Sequence, residues 1–177
     1  MGGAPRCSRA EGRARFCGQA LEARRIRRPA SRRGRALSGR AARVRAAYVD
    51  TSALAAVVLN EAGAANVARP LAAFERVLSS NLLEAELRSV FAREASTFEK
   101  RFVERVDWIL PDRPLTLELS RVLAAGYLPG ADLWHVATAL YAAPRPEDLA
   151  FVTLDQRQAT VAGALGFETL PAPPTRV

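Results

Sequence analysis

The sequence predicts an α/β fold: a short parallel β-sheet of about four to five strands, flanked by helices on both faces. Two observations support this prediction. From residue 46 onward, short apolar runs alternate with longer helical patterns, and such alternation produces a parallel sheet covered on both faces. The length of 177 residues favours a single domain with a tail rather than two domains.

The first half of the domain begins with a short strand candidate at residues 46–50. Ser52 can cap the helix that follows, which runs to about Asn60 before Gly63 breaks the pattern. The further elements expected in this half are a helix over 64–76, a brief strand over 77–80 and a helix over 81–94.

In the second half, Ser96 and Glu99 form a capping box that predicts a helix to about Trp108. A short strand bounded by prolines is expected within 109–114, and both Trp108 and Trp134 are assigned to the core. The remaining predicted elements are helices over 116–125, 130–143 and 156–165, and strands over 150–154 and 167–170.

The charge distribution divides the chain into three parts. Residues 1–45 are an Arg-rich extension predicted to be disordered, residues 46–171 form the domain, and residues 172–177 are a Pro-rich tail. Residues 1–46 contain fourteen Arg and two Glu, so the net charge of +8 arises in the extension and the domain is mildly acidic. Three interpretations of the extension stay open: a dispensable leader with Val44 as an alternative start, a nucleic-acid-binding arm, and an organelle transit peptide.

The two cysteines and one long apolar stretch exclude other classes. Cys7 and Cys17 both lie in the extension without a matching His or Cys cluster, so they indicate neither a zinc site nor a disulfide framework. A domain without cysteine is compatible with a reducing cytoplasm, which is the expected location. The apolar stretch over 123–143 is interrupted by Pro129, Asp132 and His135, so we interpret it as two amphipathic helices and not as a membrane span.

Two aspartates follow predicted strands. Asp50 ends the run Ala46-Ala47-Tyr48-Val49, and Asp155 closes Phe151-Val152-Thr153-Leu154. Sites in open parallel sheets form outside the carboxyl ends of the strands, so this position favours a functional role for both. The alternative is that each aspartate only caps the helix that follows it.

Glu86 is the most informative of the carboxylates. At about 100° per residue, it falls inside the apolar arc of its helix, whereas Glu84 lies on the edge of that arc and can pair with Arg88. Because burying an unpaired acidic group costs several kcal/mol, an inward-facing glutamate without a partner in its own helix is a candidate site residue.

Asp132 and His135 lie near the start of the 130–143 helix. A negative charge in a helix first turn is favourable in any case, so Asp132 alone is ambiguous. His135 is the only histidine, and we interpret it as a hydrogen-bonded packing residue instead of a ligand. Hard divalent cations bound through oxygen are the simplest explanation for the four carboxylates together.

Four segments resemble the motifs of PIN-domain ribonucleases, especially the VapC toxins of bacterial type II toxin–antitoxin pairs. The similarity covers about residues 46–171, in order and with family-like spacing. The segments are Tyr48-Val49-Asp50-Thr51-Ser52-Ala53-Leu54, then Ser80 with Glu86 six residues later, then Asp132-Leu133-Trp134-His135-Val136-Ala137-Thr138-Ala139, then Phe151-Val152-Thr153-Leu154-Asp155 followed by a helix and Gly166-Phe167.

The resemblance implies that Asp50, Glu86, Asp132 and Asp155 are catalytic residues that converge on Mg²⁺ or Mn²⁺ and that RNA is hydrolysed without a covalent intermediate. It also implies a cognate antitoxin protein and a homodimer. The small size and the lack of accessory domains favour a toxin over an RNA-processing PIN nuclease.

Two alternatives come from other classes. A haloacid-dehalogenase-type phosphatase needs a second aspartate two residues after the first, and Ser52 occupies that position. A non-catalytic module that binds nucleic acid or protein on a PIN-like fold is the other alternative, and it would be expected to have lost a member of the acidic set.

Overall fold

The computed structural model describes residues 45–171, which form a five-stranded, entirely parallel sheet. The strand order is β3-β2-β1-β4-β5, so the first strand of the chain lies at the centre, between β2 and β4. The strands are β1 (Ala46–Val49), β2 (Arg76–Ser80), β3 (Val106–Ile109), β4 (Leu149–Val152) and β5 (Glu168–Leu170).

In this described part of the chain, six α-helices connect the strands and cover the sheet, which confirms the predicted α/β class. They are α1 (Thr51–Val58), α2 (Ala64–Leu71), α3 (Leu82–Arg93), α4 (Thr116–Ala125), α5 (Gly130–Ala142) and α6 (Gln156–Ala164), with 3₁₀ turns at Lys100–Val103 and Pro146–Asp148. Within residues 45–171, no helix is long and apolar enough to cross a membrane.

Side chains of β1 alternate between two apolar clusters, one on each face of the sheet. Ala47 and Val49 belong to the cluster beneath α1 and α3, whereas Tyr48 belongs to the cluster beneath α4, α5 and α6. All three side chains are fully buried, as expected for a central parallel strand with both faces covered. This alternation places the Tyr48 hydroxyl on the α5 side of the sheet.

The predicted helix over 96–108 is wrong. Only a 3₁₀ turn forms there, and β3 begins at Val106, before the 109–114 segment in which a strand was expected. Phe98 and Phe102 pack against Phe91 of α3, with ring centroids 5.9 and 5.1 Å apart. The apolar residues of this segment are spaced as in a helix, but they pack against α3 or take part in the pairing of β3 with β2. Tertiary contacts override local propensity here.

Three smaller predictions also differ from the structure. The N-cap of α1 is Asp50, whose side chain accepts a hydrogen bond from the Ala53 amide, and not Ser52. Helix α2 ends at Leu71 instead of residue 76, because the amides of Glu75 and Arg76 donate to the Arg45 carbonyl as the chain joins the sheet. Trp108, which the sequence predicts to lie in the core, is 36% exposed on the edge strand β3. The predicted extension over residues 1–45, apart from Arg45, and the predicted 172–177 tail lie outside the described residues.

Candidate active site

All four candidate carboxylates belong to elements that meet at the carboxyl edge of the sheet. Asp50 directly follows β1 and caps α1, while Asp155 follows β4 and caps α6 through the amides of Arg157 and Gln158. Glu86 lies one turn into α3, and Asp132 lies in the first turn of α5. The capping roles considered for Asp50 and Asp155 are therefore real, and they rigidly position both carboxylates at this edge.

Asp50 is buried, with 1% of its surface exposed, and is surrounded by hydrogen-bond donors. Oδ1 accepts from the Ala53 amide and Ser52 Oγ, each at 3.0 Å. Oδ2 accepts from Thr153 Oγ1 and Gln158 Nε2, also at 3.0 Å each, with Ser52 Oγ at 3.1 Å. Burial raises the pKa of Asp50 above its ordinary value, although the hydrogen bonds from Ala53, Ser52 and Thr153 and the neighbouring His135 act to lower it.

Gln158 connects Asp50 to Asp132. The same Nε2 atom that donates to Asp50 donates to Asp132 Oδ1 at 2.9 Å, and the Gln158 side chain is almost fully buried. The pKa of Asp132 is raised by burial first and then by the negative charges of Asp155 and Glu86. These three carboxylates are therefore close enough for their charges to interact.

Glu86 is fixed by two donors from other elements. Thr51 Oγ1 donates to Glu86 Oε2 at 2.6 Å, and His135 Nε2 lies 2.9 Å from the same oxygen. Burial acts to raise the pKa of Glu86, but the hydrogen bonds from His135 and Thr51 outweigh it, and the pKa is lowered. Glu84 instead pairs with Arg88 at 2.7 Å on the exposed side, as the helical period predicts.

His135 continues this chain of hydrogen bonds into the core. Its Nδ1 lies 2.9 Å from the Tyr48 hydroxyl, which accepts a hydrogen bond from the Ser80 amide at 3.2 Å. The phenol can then donate its own proton to Nδ1, so the ring hydrogen is carried on Nε2 and directed at Glu86. Burial also raises the pKa of Tyr48, which keeps the phenol protonated in this role.

The structure identifies residues that hydrogen-bond to the candidate carboxylates and that the sequence did not reveal as part of the site. His135 is buried and hydrogen-bonded, as predicted for a packing residue, but its partner Glu86 is a candidate site residue. No sequence pattern described above points to Thr153 or Gln158 as a site residue. Each lies within three residues of a candidate aspartate: His135 three after Asp132, Thr153 two before Asp155 and Gln158 three after it. A search for polar side chains one helical turn from each carboxylate would have found His135 and Gln158.

The carboxylates at this edge of the sheet fit a metal ion that needs few protein ligands. Among residues 45–171, no three His, Cys, Asp or Glu side chains are grouped closely enough to hold a metal ion in this arrangement. Asp50 and Asp132 nevertheless converge on one side-chain NH₂ group, that of Gln158, whose hydrogens carry partial positive charge. Mg²⁺ is commonly held by one or two carboxylates and completes its shell with water and substrate phosphate. The residues present therefore fit Mg²⁺ or the similarly hard Mn²⁺.

Comparison with known protein families identifies the part of the chain that contains these carboxylates. The PIN domain family model matches residues 47–164, a range that includes all four candidate carboxylates and helices α1 to α6 in full. No curated protein matches the chain significantly. PIN domains are generally metal-dependent nucleases. With a match over most of its length and an all-parallel five-stranded sheet, the chain belongs to the PIN domain family.

Proposed function

We propose that the chain is a Mg²⁺- or Mn²⁺-dependent ribonuclease whose active site consists of Asp50, Glu86, Asp132 and Asp155. The observation that carries the proposal is the bridge from one amide nitrogen to Asp50 and Asp132, which come from different elements. Carboxylates drawn together at the carboxyl edge of a parallel sheet are typical of a catalytic site in this architecture.

The four carboxylates would have different roles in the proposed reaction. Asp50 and Asp132 would hold the ion, and Asp155 would add negative charge beside Asp132. Both hydrogen bonds that the described residues make to Glu86 reach Oε2, so Oε1 would be the oxygen that accepts a hydrogen bond from the attacking water. A bound divalent ion would supply water activation and would offset charge on the scissile phosphate.

We extend the proposal to a biological role as the toxin of a type II toxin–antitoxin pair, acting in the cytoplasm as a homodimer. Support comes from the similarity of the four motifs to VapC toxins. The site also suits control by a partner, because the Glu86 side chain is 30% exposed and Asp132 is half-buried. An arginine of a cognate antitoxin could pair bidentately with such carboxylates and compete with the metal.

The nuclease proposal is tested by incubating purified protein with structured RNA in Mg²⁺ or Mn²⁺, with and without EDTA. Cleavage should require the metal and should be lost in Asp132→Asn. A matched control is Asp107→Asn, which alters an exposed aspartate paired with Arg76 on the sheet edge. Cleavage that persists in chelator would overturn the metal mechanism, and RNA binding without cleavage would favour the non-catalytic module.

A further inference from the structure

The carboxylate of Asp50 has no free position for a ligand. A carboxylate offers about four lone-pair sites, and four different donors already contact this one: the Ala53 amide, Ser52 Oγ, Thr153 Oγ1 and Gln158 Nε2. A metal ion that binds Asp50 must therefore replace one of these donors.

Three of the four donors are tied into the surrounding backbone. The Ala53 amide belongs to the first turn of α1. Ser52 Oγ also accepts from the Leu154 amide at 3.0 Å, and Thr153 Oγ1 accepts from the Asp155 amide at 2.9 Å. Displacing any of these donors would leave backbone groups without partners, which is costly.

Gln158 is the donor that can leave most easily. It reaches Asp50 through a long side chain, and among residues 45–171 its own carbonyl oxygen, Oε1, is buried with no hydrogen-bond partner. The amide is thus only partly satisfied where it stands. Its Nε2 also donates to Asp132, so one NH₂ group bonds to both carboxylates that would hold the ion and offsets part of the repulsion between them.

We propose that the Gln158 amide is a built-in substitute for the divalent cation, which holds Asp50 and Asp132 together in the metal-free protein and is displaced when the ion binds. This inference rests on the proposed function. Gln158 is in this role a positioning residue that tunes metal affinity, since metal binding must compete with its two hydrogen bonds.

The proposal predicts opposite effects on stability and metal affinity. Gln158→Met preserves side-chain length and removes both hydrogen bonds. In the metal-free state, nothing from residue 158 then offsets the repulsion between the two carboxylates. The metal-bound state has already lost these hydrogen bonds and is affected less. By linkage, Mn²⁺ should bind Gln158→Met more tightly, by about fivefold if the equivalent of one net hydrogen bond is removed from the competition.

The test is calorimetric titration of Mn²⁺ into the metal-free full chain, with the melting temperature measured in EDTA and in excess Mn²⁺. Gln158→Met should melt lower in EDTA and bind Mn²⁺ about fivefold tighter. The matched control is Gln156→Met, because Gln156 is exposed two residues away at the start of α6, and it should behave like the parent. Equal or weaker Mn²⁺ binding by folded Gln158→Met would overturn the inference, and weaker binding would identify the amide as a support or ligand of the ion.

A second measurement needs no variant. In a side-chain amide ¹H–¹⁵N spectrum of the parent chain, addition of Mg²⁺ should shift the Gln158 NH₂ pair as it leaves the two carboxylates, while the Gln156 pair stays in place. An unmoved Gln158 pair at saturating Mg²⁺ would overturn the displacement. If the parent binds neither Mg²⁺ nor Mn²⁺, the metal-dependent function itself is wrong and the inference falls with it. If the parent binds metal and only the Gln158 results differ from these expectations, the inference about Gln158 is wrong and the proposed metal-dependent function is unaffected.

Discussion

His135 Nε2 lies 2.9 Å from Glu86 Oε2, although 49 residues separate the two in sequence. The contact joins α5 to α3 across the carboxyl edge of the sheet, and the buried Tyr48 hydroxyl supports it from β1. The orientation of a proposed catalytic carboxylate thus depends, together with the hydrogen bond from Thr51, on a histidine that is almost fully buried. Mutation of outer partners of this kind commonly costs about 10- to 100-fold in metal affinity or activity.

His135→Phe should therefore lower both stability and RNA cleavage. It leaves the Tyr48 hydroxyl without its acceptor and removes a donor from Glu86, and an unsatisfied buried polar group costs about 1–3 kcal/mol. Denaturant unfolding of the metal-free protein measures the first effect, and the cleavage rate at saturating metal measures the second. Unchanged cleavage in a folded His135→Phe variant would show that the hydrogen bond to Glu86 has no part in catalysis.

Glu86→Gln should abolish RNA cleavage while the fold survives, since the amide keeps the size of the side chain but loses the charge. Glu84→Gln is the control on the same helix, and it should cost at most about 0.5 kcal/mol, as expected for an exposed helix pair. Cleavage assays and circular dichroism on both variants provide the comparison. Equal loss of activity in the two would contradict the distinct roles that we propose for these glutamates.

Asp132→Asn should stabilise the metal-free protein at neutral pH. Burial and the charges of Asp155 and Glu86 raise the pKa of Asp132, so the ionised side chain destabilises the folded state above its unfolded pKa. That penalty disappears as the pH falls below about 4, where the group is protonated in both states. Melting temperatures in EDTA from pH 4 to 7 should show an advantage for Asp132→Asn that grows with pH. An advantage that is constant or shrinks with pH would contradict the shift.

Expression of the chain alone should arrest growth of a bacterial host, and co-expression of the small protein encoded next to it should relieve the arrest. Asp132→Asn should remove toxicity because the proposed metal site is lost. It is a better test than Asp50→Ala, which also removes the α1 cap and several hydrogen bonds of the site. Arrest by Asp132→Asn equal to that by the parent, at equal protein levels, would refute the toxin role even though the family is established.

A shortened chain that starts at Val44 should fold and cleave RNA like the full chain if the Arg-rich extension is dispensable. If the extension is an RNA-binding arm, its removal should weaken RNA binding and flatten the salt dependence, because fewer arginines would release counterions from phosphates. Binding measured at several salt concentrations separates the two interpretations.

Local signals in the sequence predicted much of the fold. Helix α4 runs over 116–125 as expected and ends before Gly126, and the bounds of α3, α5 and α6 lie within one residue of the prediction. Apolar run length and glycine stops are properties of a few neighbouring residues, so they can be read without knowing the fold. The same holds for the inward direction of Glu86, which follows from helical periodicity alone.

Other features depend on residues that are distant in sequence, and only the tertiary structure decided them. The segment after α3 has a capping-box pattern but forms β3, because pairing with β2 and ring contacts with Phe91 outweigh a local preference worth a fraction of a kcal/mol per residue. The joining of Gln158 to Asp50 and of His135 to Glu86 likewise appears only when the strands assemble. The sequence by itself determined which carboxylates stand at strand ends and on a buried helix face. Their hydrogen-bond partners were decided by packing, since a side chain can satisfy a buried charge only from where the folded backbone places it.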